Sequence, residues 1–296
     1  VLTINPTIRG ELRVTTSATP SLTSLLSPAP GPPDSDVPYI VGGTAADADA
    51  LEAAAQLLAD DAMRLRCGEA PALASWRARR DGGPELAGTR AAAVATFASM
   101  GFGLPGEPAK NEDHIQGHVA ELMWNRLLAE RVSYADGRRL VRVADVKTDP
   151  LEPGGDGLVL YRTANGTLVF RLWEIKKHDS VNQLSATIRT ASNQLANRGD
   201  TYLGKIVGPA SLEGGEIGAF FADVIELWID RSERAGVGVS VGTSTHHAPR
   251  HRSSFRSLAR AFPDFAPQEQ TEGIAVAVAD FPAFAQRVKE IVWSGL

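Results

Sequence analysis

Two apolar runs, 157–162 and 168–175, flank the dipeptide Asn165-Gly166, and no other stretch constrains the fold as strongly. Asn-Gly between such runs marks a β-hairpin, because both residues tolerate the positive φ of a tight turn. Loop length then decides the register. A strict two-residue turn pairs Asp156 with Ile175 and puts Asp156 on the sheet face opposite Glu174. A three-residue loop, 164–166 with Gly166 left-handed, pairs Asp156 with Glu174. It also aligns Leu158 with Leu172 and Leu160 with Phe170 on that face.

The neighbouring segments place this hairpin in an α/β chain. Residues 111–131 read as a helix, with Ile115, Val119, Leu122, Leu127 and Leu128 at near-helical spacing. Residues 140–146 alternate like a strand, and 180–203 are helical again with Ser180 as the expected N-cap. Further strands are expected at 224–229 and 237–241, and shorter helices at 251–262 and 282–293. The order helix–strand–strand–strand–helix–strand predicts a central mixed sheet flanked by helices. Upstream, the Ser-, Thr- and Pro-rich residues 1–43 read as an extended or poorly ordered arm. Residues 44–110 form a helical N-terminal region, with helices at 44–66 (Thr44 as N-cap) and 88–101. The Gly/Pro-rich stretch 101–108 breaks the chain before the expected core, 111–245, and a basic segment and helix at 246–296 end it.

The hairpin carries Gly155-Asp156-Gly157 on one strand and Glu174-Ile175-Lys176 on the other. In Glu-x-Lys the two-residue period of a strand puts carboxylate and ammonium on one face. Asp and Glu are hard oxygen ligands suited to Mg²⁺, and such an ion can activate water for phosphodiester hydrolysis. A lysine beside it orients that water and stabilises developing negative charge. His114, His118, Glu121 and Asn125, spaced by four, three and four, line one face of the upstream helix, so Glu121 is a candidate auxiliary ligand. Other readings stand beside these. Glu174–Lys177 could be an exposed cluster at a strand end, and His114, His118 and Glu121 could ligate zinc or lie at a helix surface. Lys177, His178 and Gln194 either contact phosphate or face water. The cationic stretch 246–252, with Arg250 and Arg252, either touches DNA or forms a solvated loop. Asp145, Asp149 and Glu152 read as surface charges, and Gly154 and Gly155 as a tight turn.

Asp156, Glu174-Ile175-Lys176 across a hairpin, and Glu121 on the preceding helix together resemble the PD-(D/E)XK nuclease superfamily. The resemblance spans roughly the 95 residues from 111 to 205. It implies a restriction-endonuclease-like core in which Asp156, Glu174 and the Ile175 carbonyl bind Mg²⁺, or Mn²⁺ as a substitute. It further implies that Lys176 assists the water and Glu121 completes the metal shell. Within the superfamily, the helix GHVAELMWNRLLAE followed by GGDGLVL and LWEIKK is similar to the nuclease subunits of the Hachiman anti-phage system. That similarity implies a DNA endonuclease in bacterial defence, working with a helicase. Two features depart from the superfamily pattern. Asp156 is not preceded by Pro, although Pro153 is near. Gln194 and Tyr202 lack the Gln-x-x-x-Tyr spacing of its RecB-like branch. The reading from another class is a catalytically inactive nuclease-fold subunit that binds DNA or assembles with a partner.

Charge bears on the partner. The chain carries a formal net charge of −5, which opposes unaided binding to nucleic acid. Residues 1–110 hold 9 Lys/Arg against 12 Asp/Glu, 111–260 hold 19 against 18, and 261–296 hold 2 against 5. A balanced middle with acidic flanks predicts that a protein partner supplies much of the DNA affinity. Cys67 is the only cysteine, so no intrachain disulfide forms; this fits a reducing cytoplasm. No run of 18 apolar residues occurs, so no membrane span or membrane partner is expected.

Overall fold

The computed structural model describes residues 20–107, 112–131, 134, 136–144, 146 and 157–296. In chain order its elements are α1 (Leu22–Leu26), β1 (Ala29–Pro30), β2 (Tyr39–Gly42), α2 (Ala48–Cys67), α3 (Pro71–Arg80) and α4 (Gly88–Phe102). Next come α5 (Glu112–Glu130), β3 (Arg139–Val143), β4 (Gly157–Arg162), β5 (Leu168–His178), α6 (Leu184–Ser211) and α7 (Gly215–Ile229). The chain continues with β6 (Val237–Ser244), a 3₁₀ turn (Thr245–His247), α8 (Arg256–Ala261), α9 (Pro267–Gln270), β7 (Thr271–Val278) and α10 (Phe281–Ser294).

The strands form one mixed sheet in the order β1-β2-β7-β6-β5-β4-β3. Neighbours β2, β7, β6 and β5 run parallel, while β1, β4 and β3 pair antiparallel. β6 and β7 are buried at every position, as parallel strands covered on both faces must be. One apolar layer joins α1–α5 and α10 to Val159, Tyr161, Trp173 and Ile175. The other joins α6, α7 and α8 to Leu158, Leu160, Phe170 and Leu172. Helices therefore flank a central mixed sheet, with a helical N-terminal region, as the sequence predicts. None of the described helices is long and apolar enough to cross a membrane.

Several local expectations fail for identifiable reasons. Residues 20–43 are not an arm. Leu22 and Leu26 are buried in the core, the Leu22 and Thr23 N–H groups donate to the Glu130 carboxylate at 2.9 and 2.7 Å, and β2 pairs with β7. The burial that offsets ordering comes from a strand more than two hundred residues away, which a local reading misses. Residues 1–19 lie outside the described residues. The N-cap of α2 is Asp47, whose side chain accepts from the Ala50 N–H at 2.8 Å, and not Thr44. Gln183, not Ser180, precedes α6; the Ser180 hydroxyl accepts from the Asn182 N–H in the turn before it. The expected strand at 224–229 is the end of α7, where Phe220, Phe221, Val224 and Trp228 recur at helical spacing and bury one side. The helix expected at 251–262 is confined to α8. Neither α3 nor β7 was anticipated: β7, buried on both faces, shows no alternation to read.

Candidate active site

β5 lies inside the sheet and sends alternate side chains into opposite layers. Trp173 and Ile175 face α5, where the Trp124 and Trp173 ring centroids are 5.9 Å apart. Lys177 follows on that side: its Nζ donates to Asp113 at the start of α5 at 2.6 Å and to Asp179 at 2.8 Å. Leu172 packs in the α6 layer, and the two-residue period puts Glu174, Lys176 and His178 on the same face.

The hairpin has the register of the three-residue loop. Leu158 pairs with Leu172 and Leu160 with Phe170. Gly166 has φ +89°, and the Thr163 N–H donates to the Thr167 carbonyl at 2.9 Å across residues 164–166. The pairing is described as far as Gly157 opposite Trp173. A Cβ on Gly157 would lie 2.0 Å from the Trp124 ring, so only glycine permits α5 to sit this close to β4. Asp156 lies outside the described residues, as do Asp145, Asp149, Glu152, Gly154 and Gly155.

Glu174 is 2% exposed, which removes the reading of a solvated cluster at a strand end. Lys176 Nζ donates to Glu174 Oε1 at 2.5 Å, and the lysine side chain is 28% exposed. A buried carboxylate needs a cation or strong donors beside it, and the Lys176 ammonium is such a partner. Glu121, on α5, is also buried, at 8% exposure.

The polar stripe on α5 divides by function. His114 is exposed. His118 is fully buried, its Nε2 2.7 Å from an Arg66 guanidinium nitrogen, with Phe102 packed edge-on. Arg only donates, so this imidazole nitrogen is the acceptor and has no lone pair left for zinc. Asn125 donates to the Ala144 carbonyl at 2.9 Å and holds the end of β3. Among the described residues no three His, Cys, Asp or Glu side chains gather into a cation site. Glu174 and Glu121 are oxygen donors of the kind Mg²⁺ takes. The third carboxylate named from the sequence, Asp156, lies outside the described residues.

The expected phosphate contacts scatter. Lys177 is engaged by Asp113 and Asp179 on the α5 side of the sheet, away from Lys176; burial lowers its pKa, but those carboxylates outweigh it and hold the ammonium above its ordinary value. Gln194 is half-buried on α6, Arg250 is exposed, and Arg252 reaches Asp34 at 3.4 Å. His178 is different. It is 2% exposed, its Nδ1 is 2.7 Å from the Thr187 hydroxyl on α6, and its ring lies edge-on to His247 with centroids 4.6 Å apart. Burial and the neighbouring His247 push the His178 pKa down. His247 belongs to the cationic stretch 246–252 that the sequence offers as a DNA contact or a solvated loop, but its place beside His178 is not legible there, because only the parallel pairing of β5 with β6 brings the two together.

No protein family, curated protein or solved structure matches the chain.

Proposed function

We propose that the chain is a Mg²⁺-dependent endonuclease that hydrolyses DNA phosphodiester bonds, an effector of bacterial defence working in the cytoplasm with a protein partner such as a helicase. The observation that carries this reading is the register of the β4–β5 hairpin. Of the two loops compatible with Asn165-Gly166, the three-residue one suits the chemistry without a compensating bulge, and Leu158 opposite Leu172 is its signature. Glu174, with Asp156 and the Ile175 carbonyl, would hold the cation; Glu121, carried by the helix that covers the other face of β5, is the auxiliary ligand that the family resemblance adds. When bound, Mg²⁺ or Mn²⁺ supplies charge neutralisation at the phosphoryl oxygens and an acidified water. Lys176 orients the attacking water and stabilises the negative charge that builds on the phosphoryl group. The tryptophans beneath β5 fix the backbone from which both residues project.

The alternative is a catalytically inactive subunit of the same fold that binds DNA or assembles with a partner. The two readings separate when purified protein is incubated with plasmid and linear DNA, with Mg²⁺ and with EDTA. The nuclease reading expects cleavage that EDTA abolishes and that Lys176→Ala loses. Undiminished cleavage by Lys176→Ala, or none by the wild type with its partner present, would leave the inactive subunit.

A further inference from the structure

The C-terminal ends of β5 and β6 bring together three features that the proposed catalytic roles leave unused. The His178 ring is buried, and its Nε2 makes no hydrogen bond; the Asn182 backbone is near enough to favour the charged ring but does not bond that nitrogen. A buried ring nitrogen without a partner is destabilising, so its persistence calls for a role. The His247 ring, half-buried on the turn after β6, lies against it, with the exposed His246 ring 3.9 Å further out. The long helix α6 starts beside them and has no side-chain N-cap bond; the Ala186 N–H turns back to the Gln183 carbonyl, which leaves the N–H groups of Leu184 and Ser185 and the positive end of the dipole toward an anion.

We infer that His178, His247 and the first turn of α6 form a phosphate-binding site. The inference rests on the proposed nuclease reading for which phosphate it takes: one that neighbours the scissile group on the same strand. His178 stands two residues beyond Lys176 and four beyond Glu174 on one strand face. At ~3.3 Å per residue it therefore lies ~7 Å from the first and ~13 Å from the second. A phosphate there would accept from the ring N–H of each histidine, with the half-buried His247 side chain turning to admit it. Such a contact positions the backbone without reading sequence.

Charge makes such a site pH-dependent. Both rings are held below their ordinary pKa, His178 by burial and His247, and His247 by burial and His246. The nearest charged groups are Asp179 and Lys177, which are paired with each other at 2.8 Å, the lysine on the opposite sheet face; Thr187 on α6 is neutral. Neutral rings are thereby favoured, and protonation of either would add positive charge toward an anion. Affinity for phosphate should rise as pH falls toward the ordinary histidine value of about 6.5.

The test follows the histidine ring resonances of the full chain during titration with inorganic phosphate and, separately, with a 5′-phosphorylated hexathymidylate, near neutral pH and about one unit lower. Phosphate is expected to shift His178 and His247, more tightly at the lower pH, and His247→Ala to weaken binding about tenfold. Tighter binding of the oligonucleotide identifies a nucleic-acid chain as the source, and binding of inorganic phosphate alone identifies a free anion. Because His178 is buried, His247→Ala on the surface turn is the deciding variant. Unmoved resonances through millimolar phosphate, or equal affinity in that variant, overturn the site. Binding without Mg²⁺-dependent cleavage refutes the nuclease reading and leaves the site standing.

Discussion

Lys176 Nζ lies 2.5 Å from Oε1 of Glu174, a carboxylate that is itself 2% exposed. The contact is asymmetric, because the lysine reaches solvent and the glutamate does not. Removing the lysine leaves a buried charge short of its cation, whereas removing the glutamate frees an ammonium that water can solvate. Lys176→Ala is therefore expected to cost about 1–3 kcal/mol in urea unfolding as well as to abolish cleavage. Adding Glu174→Gln should recover most of the stability and none of the activity. A Lys176→Ala protein as stable as wild type would show that the other contacts of Glu174 suffice to hold its charge.

Glu121 tests whether α5 contributes to chemistry. Gln keeps the volume and most of the hydrogen-bonding capacity of this buried side chain but removes the charge that a cation needs. Glu121→Gln is expected to lower Mg²⁺-supported cleavage by at least about tenfold while leaving the thermal midpoint nearly unchanged. Equal cleavage would reduce Glu121 to a packing residue.

Gly157 stands where the first described residue of β4 meets the Trp124 ring. The methyl of Gly157→Ala would fall 2.0 Å from that ring, and Trp124 cannot retreat easily because Trp173 packs beside it. Overpacking of this kind costs about 1–3 kcal/mol. Chemical denaturation followed by tryptophan fluorescence should report both the loss and a changed native spectrum. Wild-type stability with an unaltered spectrum would contradict this packing.

These sites differ in how far the sequence exposes them. Glu174 and Lys176 are legible because a strand's period is fixed and Asn-Gly names its turn; Leu158 opposite Leu172 follows from loop length alone. Strand β7 is not legible, because its small apolar residues are buried on both faces and leave no alternation. β2 is hidden among prolines, since its partner is β7 and not a sequence neighbour. The 224–229 segment was misread because six residues cannot separate a two-residue period from a helical one; from Phe220 to Trp228 the helix is plain. His178 and His247, 69 positions apart, meet only through strand pairing.

At the other end of β5 the chain buries an ion cluster that predicts its acid sensitivity. Arg138 Nη2 and Arg131 Nη1 each donate to Glu272 at 2.8 Å, and Arg171 Nη1 donates to the same carboxylate. Cations of the group also stack on aromatic faces: Arg131 lies 4.1 Å from the Tyr134 centroid and Arg138 4.7 Å from that of Tyr161. Burial by itself would raise the Glu272 pKa, but the three guanidiniums outweigh it and hold the carboxyl below its ordinary value. The folded state therefore binds this proton more weakly than the unfolded chain does. The resulting stabilisation is complete above the unfolded value of about 4.3 and is lost as pH falls through the lowered folded value. Glu272→Gln removes the charge at every pH and leaves three guanidiniums, two of them buried, without their carboxylate. It is expected to cost about 3–5 kcal/mol near neutrality, with the deficit relative to wild type shrinking as pH drops below about 4. Urea midpoints measured for both proteins across that range decide the matter. A deficit that stays constant down to the acid limit, or none at neutral pH, would mean that Glu272 does not anchor the arginines.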